Sequence, residues 1–150
     1  MKYQIVMGQL PLQVVRERNE LCRTPADIRA ICADMADLAQ ESLQVLLLDS
    51  KNRVMDRILV TLGTLNASLV HPREIFRAAI VGNAAAVVLI HNHPSGDPTP
   101  SPEDIRVTKQ VVEAGRIIDI NVIDHVVISR LQGEGLGYVS MRESGMVCFA

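Results

Sequence analysis

Residues 84–104 read AAAVVLIHNHPSGDPTPSPED, an apolar run that ends in two histidines and leads through a proline-rich loop to an acidic residue. The apolar run has the length and composition of a buried β-strand. Because successive side chains of a strand point to opposite faces, His91 and His93 are predicted to share one face. Ser101 is typical of a helix N-cap that is followed by proline at the first helical position. Asp104 is therefore expected in the first helical turn, pointing back at the two imidazoles.

These side chains suggest a metal site. Two neutral imidazoles and one carboxylate form a set of nitrogen and oxygen ligands that suits zinc, and a fourth position stays open for water, as in catalytic zinc sites. The sequence therefore predicts one Zn²⁺ bound by His91, His93 and Asp104. The intervening loop is stiff, because each proline in it fixes its own backbone and restricts its predecessor: Pro94, Pro98, Pro100 and Pro102.

Asp104 also has a purely structural interpretation. A carboxylate at the third helical position can accept a hydrogen bond from the backbone of an N-cap serine, here Ser101, and so form a capping box. This role partly competes with metal ligation, because each uses lone pairs of the same carboxylate.

The composition indicates one globular domain over residues 1–150. Hydrophobic residues make up 48% of the chain and aromatic residues 3%, so the core is expected to be aliphatic. A chain of this length buries about two-thirds of its unfolded surface. The net charge of −2, without a long run of one sign, provides no electrostatic basis for strong nucleic-acid binding. We therefore expect contact with DNA only indirectly, through a partner.

The cysteines and the hydropathy pattern bear on the compartment. The three cysteines are far apart in the chain and form no Cys-x-x-Cys pair, which argues against a disulfide framework and a thiolate metal site. No apolar run reaches membrane-spanning length, and the N-terminus carries no signal-like stretch. These features predict a cytoplasmic protein that does not bind membranes.

Hydrophobic periodicity and turn signals predict strands that alternate with three helices. The helices are expected to begin at Pro25, Pro72 and Pro102. The first continues at helical spacing through Leu38, and the others end near Ile80 and Gly115. Strands are expected at residues 3–7, 45–48, 54–60, 68–70, 84–90, 120–128 and 138–141. This order predicts an α/β fold with a mixed sheet flanked by layers of helices.

The polar residues of the opening stretch resemble the JAMM motif of the JAB/MPN metalloprotease superfamily, and more closely its bacterial RadC-like branch. The motif has four parts: a distant glutamate, His-x-His, a seven-residue spacer and Ser-x-x-Asp. The last three parts are here His91-Asn92-His93, residues 94–100 and Ser101 to Asp104. Residues 91–101 are similar to the RadC branch almost letter for letter, and residues 48–53 and 71–76 are also similar. The resemblance covers about residue 25 to the C-terminus and implies a JAB/MPN (cytidine-deaminase-like) layered domain.

Full-length RadC proteins also carry an N-terminal helix-hairpin-helix region, which this chain is too short to include. The metal motif itself is complete.

The resemblance implies a glutamate, placed just before a central strand, that takes a proton from metal-activated water. Glu41 fits this position, although Gln44 stands where many eukaryotic members have glycine. Its structural alternative is a solvated acid between a helix and a strand. Glu74 and Glu103 are rivals for the same role, but each is expected on an outward-facing part of a helix. We favour Glu41.

By the same resemblance, Ser101 would donate a hydrogen bond to the oxyanion that forms during hydrolysis, a stabilising contribution that is typically large. The implied activity is zinc-dependent hydrolysis of an amide or isopeptide bond in a peptide or protein substrate. His125, in an Asp-His pair also seen in the RadC branch, is either a structural strand residue, which we favour, or a hydrogen-bonding partner of the metal site.

Two other functional classes remain to be weighed. The first is a non-catalytic scaffold in DNA repair or recombination, since many MPN members lack the metal site and RadC carries a DNA-repair name; the intact ligand set argues against it. The second, a zinc nucleobase deaminase, needs His-x-Glu followed by Pro-Cys-x-x-Cys, which the chain lacks. Open sheet edges, at the N-terminal strand or near Tyr138, could pair two chains into a homodimer.

Overall fold

The computed structural model describes residues 19–65 and 70–149. In chain order, these residues form α1 (Pro25–Ile31), a 3₁₀ turn (Ala33–Asp37), β1 (Ser42–Leu48), β2 (Val54–Leu62), α2 (Pro72–Val81), β3 (Ala86–Asn92), α3 (Pro102–Ile118), β4 (Asn121–Ile128) and β5 (Tyr138–Ser140).

The strands form one mixed sheet in the order β2-β1-β3-β4-β5. β3 and β4 are parallel and are connected by α3, whereas every other neighbouring pair is antiparallel. The α/β class and the mixed sheet predicted from the sequence are confirmed. Every residue of β3 is buried, because helices cover the sheet on both faces.

Alternation along the strands assigns each side chain to one of two cores. Val87 and Leu89 of β3 pack in the core beneath α2 and α3, whereas Val88 and Ile90 pack in the core beneath α1. Full burial of an aliphatic side chain of this kind contributes about 1.5–3 kcal/mol each. Two rigid layers therefore hold the end of β3, where the histidines lie.

The first predicted helix is interrupted. The sequence predicts helical spacing from Pro25 through Leu38, but α1 ends at Ile31 and a 3₁₀ turn follows from Ala33 to Asp37. The 3₁₀ turn buries two consecutive residues, Met35 and Ala36, which both pack in the core beneath α1. The prediction of one continuous helix was wrong here.

Two of the predicted strands lie wholly or partly outside the described residues. The strand at residues 3–7 lies outside the described residues. The strand at 68–70 lies outside them except for Val70, which is buried and belongs to no strand.

α3 is longer than predicted, because Gly115 does not end it. The helix continues to Ile118 and is capped by Asp119 in the left-handed conformation, with φ of 59°. A Cβ atom on Gly115 would lie 2.6 Å from the carbonyl oxygen of Ile120 and 3.2 Å from the Phe76 ring. Glycine is thus needed for close packing of α3 against α2 and β4 rather than for helix termination.

A buried polar contact ties the first turns of α3 to β4. The Thr108 hydroxyl donates to the backbone carbonyl of Asp104 at 2.6 Å and also contacts Nδ1 of His125. Since the hydroxyl has only one proton to donate, His125 Nδ1 must be the donor in the second contact. His125 is thereby the neutral Nδ1–H tautomer, and its buried Nε2 has no hydrogen-bond partner in the described structure.

None of the helices in the two described segments has the length and hydropathy that crossing a bilayer requires. The cysteines at positions 22, 32 and 148 form no disulfide with one another. Burial, reinforced by neighbouring Cys32, raises the pKa of the Cys22 thiol to about 12, so this thiol stays protonated.

Replacing Gly115 with alanine should lower the free energy of unfolding by about 1–3 kcal/mol, because the added methyl group collides with backbone that cannot move aside. This loss should exceed the gain of about 0.5–1 kcal/mol that alanine normally brings to a helix. Urea denaturation measures the difference. Lys109→Ala, on the exposed side of the same helix, is the control and should change stability by less than about 0.5 kcal/mol. A Gly115→Ala protein as stable as the parent would contradict this packing.

His125 should remain neutral inside the folded protein under mildly acidic conditions. Burial lowers its pKa from 6.5 to about 3. Between these values the unfolded chain takes up a proton that the folded chain does not, so the free energy of unfolding should fall as the pH falls from about 6.5 towards 3. NMR of ¹⁵N-labelled histidine, with a chelator present, should report the Nδ1–H tautomer at pH 5.5. Titration of this ring near pH 6.5 in the intact fold would disprove the assignment.

Candidate metal centre

The His-x-His segment carries two imidazoles on the face of the sheet that α2 and α3 cover. His91, the penultimate residue of β3, is 1% exposed, and His93 follows the strand with a 12% exposed side chain. Their ring centroids are 4.8 Å apart and the rings are nearly perpendicular. The backbone N–H of His93 donates to the Ile128 carbonyl at 2.8 Å, which holds this end of β3 against β4. The predicted common face of the two histidines is confirmed.

Asp104 approaches both imidazoles from the first turn of α3. Its Oδ1 lies 3.3 Å from His91 Nδ1, and its Oδ2 lies 3.0 Å from His93 Nε2. The same Oδ2 accepts the backbone N–H of Ser101 at 2.8 Å, and Ser101 Oγ accepts the backbone N–H of Asp104 at 3.1 Å. The predicted capping box is therefore present, and it shares its carboxylate with the histidines.

Electrostatics in this cluster keep Asp104 ionised. Burial by itself raises the pKa of this carboxyl group, but the imidazoles of His91 and His93 and the Ser101 N–H lower it more, so that the net pKa is far below its usual value. For His93, burial by itself lowers the pKa. The contacts with Asp104 and with the Asp97 carbonyl raise it by more, so that the net pKa is above its usual value. A charge-neutralising partner, whether a proton or a cation, is therefore favoured beside Asp104.

Glu41 brings a second carboxylate to the cluster from the residue before β1. Its Oε2 is 3.7 Å from His91 Nε2, and its side chain is 27% exposed. Glu41, His91 and His93 each offer one ligand atom, and these atoms lie within 4.8 Å of one another. This is a possible metal site, although its composition differs from the predicted set, in which Asp104 is a ligand and Glu41 is the base.

The loop after His93 fixes the orientation of that ring. The backbone carbonyl of Asp97 lies 2.9 Å from His93 Nδ1 and accepts its proton, which leaves Nε2 facing Asp104. Histidines that bind metals commonly donate their second N–H to a carbonyl in this way. Gly96 permits the turn, because its φ is 93° and a Cβ atom there would meet the Gln132 side chain at 2.2 Å.

Two observations fit a cation at this cluster. Ligand atoms around one tetrahedral zinc ion, with bonds of about 2.0–2.1 Å, lie about 3.3 Å apart, and the distances from Asp104 to both imidazoles are of this size. In addition, both ring nitrogens of His91 are buried and have no hydrogen-bond partner among the described residues. Buried polar atoms without a partner are rare, and a bound cation would satisfy one of these two nitrogens.

The rival glutamates lie elsewhere. Glu74 is exposed on α2, and Glu103 pairs with Arg106 at 2.7 Å on the outer side of α3. His125 is fully buried behind the site, with its ring centroid 6.2 Å from that of His91. Its ring is hydrogen-bonded to Thr108 and not to His91 or His93.

Sequence reasoning did not single out Asn92, Ser42 or Thr108. Each is buried, and each forms hydrogen bonds that hold a predicted site residue or its element. Asn92 carried one usable signal, because it is a polar residue at the end of a strand in which every residue before His91 is apolar. Ser42 and Thr108 carried none, since serine and threonine are common on exposed surfaces.

Comparison with known proteins gives consistent results. The RadC family, described as the RadC-like JAB domain, matches residues 22–146. UPF0758 protein STH371 of Symbiobacterium thermophilum is 51% identical over 130 residues, which are 87% of this chain and 53% of the relative. The UPF0758 protein of Roseiflexus castenholzii is 46% identical over 147 residues, which are 97% of this chain and 61% of the relative. UPF0758 protein Mbar_A2303 of Methanosarcina barkeri is 43% identical over 135 residues, 89% of this chain and 56% of the relative.

The chain therefore spans 53–61% of the length of these relatives. The family match nevertheless covers most of the chain, including β1, the His-x-His segment and the start of α3. The resemblance inferred from the motif is confirmed: this chain belongs to the RadC-like JAB domain family.

Proposed function

We propose that this chain is a zinc-dependent hydrolase of the JAMM type, which cleaves an amide or isopeptide bond with metal-activated water. One observation carries the proposal, namely the convergence of Glu41, His91 and His93 within 4.8 Å, with Asp104 in contact with both imidazoles. The family supports it as well, because the motif that these residues form is that of a metalloprotease superfamily.

His91, His93 and Asp104 are the proposed ligands. Nitrogen and oxygen donors of this kind suit zinc, and three protein ligands leave one position for water or substrate. A zinc ion held here would polarise the scissile carbonyl and lower the pKa of a water molecule to near 7, which supplies a nucleophile at neutral pH.

Glu41 is the proposed general base. It lies at the rim of the site, partly exposed, whereas Asp104 is buried and engaged by Ser101 and both imidazoles. A carboxylate with few fixed partners can accept a proton from the attacking water and deliver it to the leaving nitrogen. The difference in surroundings supports different roles for the two carboxylates.

Ser101 is proposed to stabilise the oxyanion. Its Oγ accepts the backbone N–H of Asp104, so the hydroxyl proton is available for donation to a substrate oxygen. In hydrolases, removal of one such donor typically costs about 10²–10³ in kcat.

The cellular setting is part of the proposal. We place the protein in the cytoplasm with a peptide or protein substrate. We also propose that any link to DNA repair runs through a partner, because the net charge of −2 does not favour direct binding to DNA.

The purified protein, incubated with Zn²⁺ and desalted, should retain one zinc ion per chain by elemental analysis. His93→Ala should weaken Zn²⁺ binding by more than about 100-fold in competition with a chelator. Loss of an outer hydrogen-bond partner typically weakens metal binding by about 10–100-fold, and loss of a ligand should weaken it more. His71→Ala removes a histidine at the start of α2 and should bind zinc like the parent. A parent protein that retains no zinc would defeat the hydrolase proposal.

Glu41→Gln should lower hydrolysis by about 10²–10⁴-fold, since general-base catalysis contributes that much, yet retain zinc at saturating concentration. The measurement is mass spectrometry of a mixture of unstructured peptides and isopeptide-linked peptides after incubation with the zinc-loaded protein. Glu74→Gln, on the exposed face of α2, should leave hydrolysis unchanged. Equal activity of Glu41→Gln and the parent would remove Glu41 from this role. A zinc-loaded parent that cleaves neither bond would favour the scaffold alternative.

A further inference from the structure

The central residue of the His-x-His segment points away from the two histidines. Asn92 is 1% exposed and lies on the face of β3 that α1 covers, opposite His91 and His93. Both polar atoms of its amide form hydrogen bonds: Oδ1 accepts the backbone N–H of Ser42 at 2.7 Å and the Ser42 hydroxyl at 2.9 Å, while Nδ2 donates to the Gln40 carbonyl at 3.0 Å.

These contacts are with the two residues that flank Glu41 in the sequence. One side-chain amide binds the carbonyl of the residue before Glu41 and the N–H of the residue after it. The carbonyl of Glu41 itself accepts the backbone N–H of Gly63 at 2.7 Å. The backbone on both sides of Glu41 is therefore held, and only its side chain remains to be oriented.

The position of Asn92 explains why an amide is needed. The backbone pairing of β1 with β3 extends only as far as Leu43 opposite His91. One residue further, the Asn92 side chain provides an acceptor and a donor in place of the next rung of the sheet. Aspartate lacks the donor, and leucine, of similar size, lacks both.

We infer that Asn92 is a positioning residue that holds Glu41 at the cation site, so that the His-x-His segment sets the place of the base as well as that of the two imidazoles. This inference rests on the proposed function, because it assigns to Asn92 the placement of the carboxylate that the hydrolase would use. Asn92 acts through the backbone of residues 40–42 and does not itself touch the cation or the substrate.

The test is a double-mutant cycle read out by Zn²⁺ affinity in competition with a chelator. Glu41→Gln should weaken Zn²⁺ binding, because it removes a negative charge beside the ligands. Asn92→Ala should weaken binding by about 10-fold when Glu41 is present, as loss of an outer partner does. In the Glu41→Gln background, Asn92→Ala should change the affinity by less than about threefold, because Glu41 is the group through which it acts.

A second measurement reports the placement directly and needs no metal. Amide hydrogen exchange of Ser42, followed by NMR, should accelerate in Asn92→Ala by at least about 10-fold, as expected for loss of a bond that closes a strand end. Ser42→Ala is the matched control. It removes the hydroxyl contact but keeps the backbone N–H bond to Asn92, and it should retain both the slow exchange and the parental Zn²⁺ affinity.

The outcomes separate the two claims. If the parent binds no zinc, the proposed function fails and this inference with it. If the parent binds zinc but Asn92→Ala has the parental affinity, or weakens binding equally with and without Glu41, the positioning role alone is overturned. Should Asn92→Ala not fold, Asn92→Asp keeps the acceptor and loses the donor to Gln40. The same cycle with Glu41→Gln then applies, and absence of coupling would overturn the role.

Discussion

The contact between the start of α3 and the end of β3 is the constraint on which the rest of the site depends. Asp104 is 1% exposed, and a carboxylate so buried is costly unless charged or hydrogen-bonding groups compensate it. The compensation comes from the Ser101 N–H and from two imidazoles on another element. One side chain thus caps the helix and joins the helix to the sheet. The helix could not tilt or slide without leaving that charge uncompensated.

The surrounding structure makes this contact rigid from two sides. Thr108 and His125 tie the second turn of α3 to β4, and Asn92 ties the entry of β1 to the end of β3. Both supports are buried polar groups within an aliphatic core, where hydrogen bonds are strong and directional. A site that must hold ligand atoms within about 0.5 Å needs such supports, and regular strands and helices supply them better than loops.

Local signals in the sequence predicted most of this arrangement. Period-two alternation placed His91 and His93 on one face, and the Ser-Pro pair located the start of α3. Other local signals were misleading. A glycine such as Gly115 is typical of a helix end, yet it lies inside α3. The residue is glycine because Phe76 and the Ile120 carbonyl leave no room for a methyl group. The helical spacing through Met35 conceals a 3₁₀ turn, because packing against the sheet outweighs local preference.

The sequence by itself determined the class of fold, the pair of imidazoles, the capping box and the membership of a family, since each of these depends on residues close together in the chain. Tertiary structure alone decided how close residues from other parts of the chain lie to these imidazoles. Glu41 is 50 residues from His91, and Asn92 reaches back across the sheet to both neighbours of Glu41. Spacing along a chain carries no information about such distances, because the register between β1 and β3 arises only when both faces of the sheet are packed.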